Sequence, residues 1–267
     1  MLKDITLGQY FPGNTVVHRL DPRTKLLMTI LYIVVLFVAK WFISYGVVFL
    51  FLCISVLLSK IKPSALLRGL KPLLIIIVLT GVINLFYSQG DPLFTFWIFT
   101  VTKEGIVNAF FMIARIMMLV CGTFLLTYTT SPIALTDGLE MLLSPLKKIR
   151  VPVHELSMMM CIALRFIPTL IEETDKIISA QKARGADFET GNLLRRAKAL
   201  VPILVPLFIS SFRRADELAT AMECRCYQGG VGRTRMKQLS FAPRDYLCFG
   251  IGALLLAGII VLCSFSL

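Results

Sequence analysis

Long apolar runs, parted by short clusters of lysine and arginine, leave this chain little choice but to fold into a lipid bilayer. They cover residues 26–39, 41–58, 72–87, 105–128 and 246–267. A straight helix needs roughly 20 apolar residues to cross a hydrocarbon core of about 30 Å. The first and third runs are short by that measure, so the first is expected to tilt, pair with a neighbour or lie partly at the interface. Residues 93–101 fit a short hairpin element between two runs. Only 16 % of the residues are charged, against about 25 % in soluble domains. Mean hydropathy is +0.79. The expected fold is all-α, a polytopic membrane protein with about five transmembrane helices.

The net charge of +12 has a membrane explanation. With the N-terminus in the cytoplasm, 25 of the 28 lysines and arginines fall on the cytoplasmic side. Lys40 and Lys103 lie outside and Arg115 sits within a span, so the positive-inside rule favours an N-in, C-out multi-pass protein of the cell membrane. Contact with anionic lipid accounts for the same excess. No aromatic-interleaved basic stretch or zinc-finger spacing points to nucleic acid. The seven cysteines are odd in number, lack a C-x-x-C pair and lie mostly in apolar runs, as small hydrophobes do. His18 and His154 have no second ligand at metal-binding spacing, so no metal site is assigned. Residues 1–14 lack the apolar stretch of a cleaved signal peptide.

Charge also divides the chain: residues 1–128 hold four spans, 129–245 form a cytoplasmic region, and 246–267 make the last span. The middle region opens with an amphipathic helix over 131–146. Ser131-Pro132 starts it, Ile133, Leu135, Leu139, Leu142 and Leu143 form its apolar face, and Asp137 and Glu140 lie opposite. Pro145 and Pro152 close it. From Val153 a helix can run to Arg184, about 48 Å at 1.5 Å per residue, with Pro168 either bending or ending it. Its first half is apolar, its second half carries Glu172, Glu173, Asp175, Lys176 and Lys182, and Gly185 stands where a helix-stopping glycine belongs.

A second stretch repeats the layout. Residues 193–198 are basic, 199–212 are apolar with Pro202 and Pro206, and 213–223 are charged. Shifting the chain by 41 residues lays Asp175 on Asp216, Ser179 on Thr220, Ala180 on Ala221 and Arg184 on Arg225. Both stretches therefore end in an arginine between small residues, Ala183-Arg184-Gly185 and Cys224-Arg225-Cys226. Small flanks let a helix end sink against a partner, where the guanidinium offers five donors in a rigid fork. The plainer reading is that each arginine caps its helix through the macrodipole, worth roughly 0.3–1 kcal/mol. The matched pair favours docking.

Catalytic signatures are lacking. There is no G-x-x-x-x-G-K-[ST], no H-E-x-x-H, no G-x-S-x-G and no histidine–cysteine pairing. Glu172, Glu173 and Asp175 read as solvated charges or as partners for Lys176 and Arg213. Arg115, the single charge within a span, has either a transport role or a structural partner across the bundle, for instance Asn84. A membrane-embedded enzyme would need clustered acids, a metal set or an activated nucleophile.

Five segments resemble one family in order along nearly the whole chain. They are Leu20-Asp21-Pro22-Arg23-Thr24-Lys25, the stretch from Ala163 to Leu170 around Arg165-Phe166-Ile167-Pro168, Ala180-Gln181-Lys182-Ala183-Arg184-Gly185, Arg214-Ala215-Asp216-Glu217-Leu218-Ala219, and the stretch from Ala221 to Tyr227. Together they resemble the transmembrane T component of energy-coupling-factor (ECF) transporters. The resemblance implies a pair of long cytoplasmic coupling helices whose tips dock on two ABC-type ATPase subunits. The docking residues would be Ala183, Arg184, Gly185, Cys224, Arg225 and Cys226, and the cysteines depart from the Ala and Gly frequent in the family. It further implies a substrate-binding membrane protein (S component) as partner, alongside membrane lipids. ATP would bind to the ATPases, leaving this chain without a cofactor or catalytic role. Its length fits the shared type serving several partners in vitamin or micronutrient uptake. A dedicated cobalt, nickel or biotin T component is the alternative.

Overall fold

The first helix owes its start to Asp21. Its carboxylate accepts from the backbone N–H of Arg23 at 2.9 Å, and Pro22 in the first turn has no N–H to leave unpaired. A computed structural model describes residues 10–39, 41–87, 92–96, 99–186, 188, 193–229 and 239–264. Along these run α1 (Pro22–Val38), α2 (Phe42–Ser59), α3 (Pro63–Leu70), a 3₁₀ turn (Lys71–Leu73), α4 (Leu74–Tyr87), β1 (Pro92–Phe96) and β2 (Phe99–Thr102). Next come α5 (Lys103–Thr129), α6 (Pro132–Leu143), a 3₁₀ turn (Ser144–Ile149), α7 (Val153–Ala183), α8 (Leu193–Glu223) and α9 (Pro243–Ser264). The chain divides into two compact units, Gly8–Gly138 with Leu239–Leu267, and Leu139–Gln238.

In the first unit α5 is the central helix, with α1, α2, α3 and α4 packed on it and α9 packed on α1 and α2. Tyr32, Val35, Leu36, Val48, Met118, Leu255 and Ile259 form the core, and the Tyr32 hydroxyl donates to the Met118 carbonyl at 3.0 Å. The Tyr32 ring lies so close to α5 that a Cβ on Gly122 would meet it at 2.4 Å, so only glycine fits there. The hairpin expected over 93–101 is present: β1 and β2 are antiparallel, with Thr95 opposite Thr100 and Phe96 opposite Phe99. The Thr102 hydroxyl then caps α5 by accepting from the Gly105 N–H at 3.1 Å.

Among the described residues, five helical stretches are long and apolar enough to cross a membrane, the number expected, but the set differs. Phe42–Ser59, Pro63–Phe86, Lys103–Thr129 and Pro243–Ser264 correspond to four of the runs. The short third run gains length because its helix begins at Pro63, through the 3₁₀ turn. The first run lies in α1, whose 17 residues reach about 26 Å, at the lower limit for crossing the hydrocarbon core. Val153–Ala183 is the fifth stretch by length and composition and the least apolar of them.

Arg115 pairs differently from the expectation. Its Nε donates to the Tyr45 hydroxyl at 2.8 Å and its Nη2 to the Ala39 carbonyl at 3.4 Å, at the end of α1. Asn84 instead donates to the Thr80 carbonyl of its own helix. An arginine inside a bundle thus serves a helix C-terminus, where backbone carbonyls lack partners.

A buried polar knot ties three helix ends together. Asp245 is 1 % exposed and accepts from the N–H of Asp21 at 3.0 Å and of Ala242 at 2.8 Å. One carboxylate thereby joins the starts of α1 and α9. Arg23 donates to Asp21 and to the Leu239 carbonyl, with its guanidinium 4.2 Å from the Phe241 ring centre. Lys25, ahead of the apolar residues 26–39, donates to the carbonyls of Thr129 at 2.8 Å and His18 at 3.1 Å, which attaches the end of α5.

Burial pushes the Lys25 ammonium down to about 8, against the pull of Asp245 and Asp21. The unfolded chain keeps that proton up to the ordinary lysine range, so between about pH 8 and 10.5 it binds more protons than the native state. Native stability therefore rises with pH across that window, and below it the cost of burying the charge is felt in full. Thermal unfolding in detergent from pH 7.5 to 10 is expected to show this slope in the wild type and to lose it in Lys25→Met.

In the second unit α7 and α8 pack together. Pro168 lies inside α7, and Pro202 and Pro206 inside α8, so none of the three ends its helix. Glu140, expected on the polar face of the amphipathic helix, is buried, and its Oε1 lies 3.1 Å from His154 Nδ1 at the start of α7. That helix ends at Leu143, before Pro145.

Candidate functional site

The two arginine tips share one backbone geometry. In α7 the helix ends at Ala183 and Arg184 occupies the C-cap. Gly185 follows with φ +84°. The Gly185 N–H reaches back to the Lys182 carbonyl and the Ala186 N–H to the Gln181 carbonyl, both at 3.0 Å. In α8 the pattern recurs around Arg225. Cys226 has φ +53°, its N–H bonds the Glu223 carbonyl at 2.8 Å, and the Tyr227 N–H bonds the Met222 carbonyl at 3.1 Å. Both ends are Schellman motifs, with the arginine in the same place.

This geometry bears on the two readings of the arginines. Backbone N–H groups already bond the last carbonyls, so neither guanidinium is needed as a cap. Ala183, Arg184, Gly185, Cys224, Arg225 and Cys226 are all exposed. A Cβ at Gly185 would meet nothing within 4 Å. Glycine is there for its left-handed backbone, not for lack of room. Cys226 holds the same conformation with a side chain that disfavours it, which is the physical content of the cysteine departure.

Between the tips, α7 and α8 run antiparallel. The Tyr227 hydroxyl meets Met158 Sδ near the start of α7 at 3.1 Å. Further along, Glu173 accepts from Arg214 Nη2 at 2.7 Å and from the Ser210 hydroxyl. Glu173 and Arg214 each stand 11 residues before the arginine of their own helix, so the link is equidistant from both tips. Each arm beyond it is about 16 Å long, which sets Arg184 and Arg225 up to roughly 33 Å apart, at opposite ends of the pair. Within the acidic cluster Glu173 is thus engaged across the pair, and its basic partner is Arg214 rather than the expected Arg213.

Comparison with known proteins shows the family. Residues 13–237 match the family model CbiQ, described as cobalt transport protein. The chain belongs to that family. It is 57 % identical over 249 residues to the energy-coupling factor transporter transmembrane protein EcfT of Clostridium kluyveri, covering 92 % of each chain. Against the EcfT of Ruminiclostridium cellulolyticum it is 52 % identical over 262 residues, covering 98 % of each. Against that of Lactococcus lactis it is 47 % identical over 247 residues, covering 92 % of this chain and 93 % of the other. As an EcfT/CbiQ protein the chain is a multi-pass transmembrane component of an ECF transporter, a non-catalytic subunit.

Sequence reasoning passed over Asp245. The signal was present in Ala242-Pro243-Arg244-Asp245, a proline in the first helical turn with an acid near N3, a helix-start pattern whose carboxylate reaches back to the preceding N–H.

The tip geometry in this EcfT/CbiQ protein predicts opposite effects from two small changes. Gly185→Ala places a Cβ in a left-handed conformation and is expected to cost about 1 kcal/mol, whereas Cys226→Gly relieves the same strain and gains about as much. Melting of the purified chain should move by roughly 2 °C in each direction.

Proposed function

We propose that this chain is the coupling subunit of an ECF-type importer, linking two ABC-type ATPases to a substrate-binding membrane protein. The observation that carries the reading is the antiparallel pair with matched, exposed arginine tips at opposite ends. One tip cannot reach the other's socket, so two sockets are required. Arg184 engages one ATPase and Arg225 the other, with Ala183, Gly185, Cys224 and Cys226 giving the clearance each fork needs. ATP is bound and hydrolysed by those partners, and this chain holds no cofactor. As the two sockets change spacing, the arms turn about the Glu173–Arg214 link.

The S component would receive that motion from α8. Leu200, Val201, Leu204, Val205, Phe208, Ile209 and Phe212 recur along one side of this helix and are all exposed, a stripe suited to a hydrophobic membrane partner. The charge distribution supports a cytoplasmic N-terminus, with the tips on the ATPase side. The reading extends to a shared type of coupling subunit, supporting vitamin or micronutrient uptake through exchangeable S components. The close relatives carry names without a substrate, unlike the family description, which names cobalt.

Reconstitution tests the proposal. Liposomes containing this chain, two ATPases and an S component should show ATP-dependent uptake of that component's substrate, and omission of this chain should abolish it. Uptake by the chain alone, or undiminished uptake without it, overturns the reading.

A further inference from the structure

The first unit contains an apolar cleft of about 470 Å³ between α2, α3 and α5. On α5 it runs from Phe110 to Cys121, a rise of about 16 Å. Phe42 and Leu52 line it on α2, and Leu67 and Leu70 on α3. Its one hydroxyl, on Tyr45, is occupied by Arg115. The rest of the lining is apolar apart from the Cys121 thiol, and apolar cavities of this kind stay dry or take an apolar guest.

Charge distinguishes the α3 end of the cleft. Lys60, Lys62, Arg68 and Lys71 are exposed there, and residues 60–90 contain no aspartate or glutamate. Arg68 and Lys71 follow directly on the lining residues Leu67 and Leu70; three apart, they lie on one face of α3 and its continuation, and Lys71 stands four residues from Leu67, which is 66 % exposed. A long apolar slot with cations at one end, for which no ion pair is seen among the described residues, matches an amphiphile with an anionic head and a hydrocarbon tail. Basic sites between membrane helices recognise anionic lipid headgroups by this arrangement.

We propose that the cleft holds one acyl chain of an anionic bilayer phospholipid, its headgroup phosphate paired with Arg68 and Lys71. The lipid is then a specific ligand of the transmembrane unit, filling the space between α2 and α5 that the protein leaves open. Gly46 provides a direct handle, because it lines the cleft and a Cβ there would meet nothing within 4 Å. A leucine at that position fills the slot without a clash.

Native mass spectrometry of the full chain tests this, after equilibration in mild detergent with equal dioleoyl phosphatidylglycerol and dioleoyl phosphatidylcholine. The wild type is expected to retain one phosphatidylglycerol, about tenfold in preference to phosphatidylcholine. Arg68→Gln with Lys71→Gln should remove the preference, and Gly46→Leu should reduce retention of both lipids to background. The first variant changes only exposed side chains, so it decides the matter should the second fail to fold. The proposal is overturned by equal retention of the two lipids in the wild type, or by full retention in Gly46→Leu. A dimer mass that Gly46→Leu abolishes overturns it too, since a second copy would then fill the cleft.

Discussion

Replacing Arg184 and Arg225 together with glutamate is expected to abolish co-purification of the ATPases and reduce uptake to background. A guanidinium seated against carboxylates or carbonyls at a desolvated interface costs roughly 3–5 kcal/mol to remove when its acceptors stay behind. At about 1.4 kcal/mol per tenfold, each reversed tip loses at least a hundredfold in affinity. Losing both leaves nothing to hold the assembly. Single variants separate assembly from transmission. With Arg184→Glu alone, the Arg225 tip still grips one ATPase and part of the complex survives. Uptake should nevertheless fall below about a tenth, because a lever held at one end transmits little. Arg→Lys at either tip keeps the charge but loses the planar fork, and should lie between.

The melting temperature of the isolated chain should be unaffected by any of these changes, since backbone N–H groups already satisfy the carbonyls at both tips. A marked drop in melting temperature would restore the capping role. Wild-type complex and uptake from the double variant would falsify the docking of both tips.

What could be read from the chain beforehand follows the range of the interaction. Helix ends are local events, so Gly185 announced the end of α7, and the 41-residue offset found two helices of one design. The hairpin between α4 and α5 was visible for the same reason. Cross-helix partners were not, because neighbouring side chains on one helix point in different directions. Arg213 and Arg214 are consecutive, and only the packing of α8 on α7 selects Arg214 for Glu173. Glu140 follows the polar periodicity of α6, yet it is buried beside His154, a contact that pattern alone cannot foresee. Length alone leaves the membership of the spans open at the margin, where α1 has 17 residues and α7 is the least apolar of the long helices. The prolines illustrate a further limit. A helix whose neighbours and apolar faces favour it can run through a proline that would break it in isolation.

Asp245→Ala is expected to destabilise the transmembrane unit more than any other single change at the knot. The carboxylate is almost wholly buried and accepts two backbone N–H groups, one before α1 and one before α9. Alanine leaves both donors without an acceptor, at about 1–3 kcal/mol each. It also strips Lys25 of a nearby negative charge. A loss of roughly 3–5 kcal/mol follows, a large share of the 5–15 kcal/mol typical of a folded domain. It should appear as a melting temperature lower by roughly 10 °C and a poor yield of folded chain. Asp245→Asn retains one acceptor oxygen but turns an amide toward the other N–H, so it should recover only part of the loss. Arg244→Ala, at the exposed neighbouring position, should melt within about 0.5 kcal/mol of the wild type. The pH profile supplies an independent reading. Without Asp245 the Lys25 ammonium loses a stabilising charge, so its pKa moves further below about 8, and the rise of stability with pH begins earlier. If Asp245→Ala melts like Arg244→Ala and leaves the pH slope in place, the knot does not hold the three helix ends together.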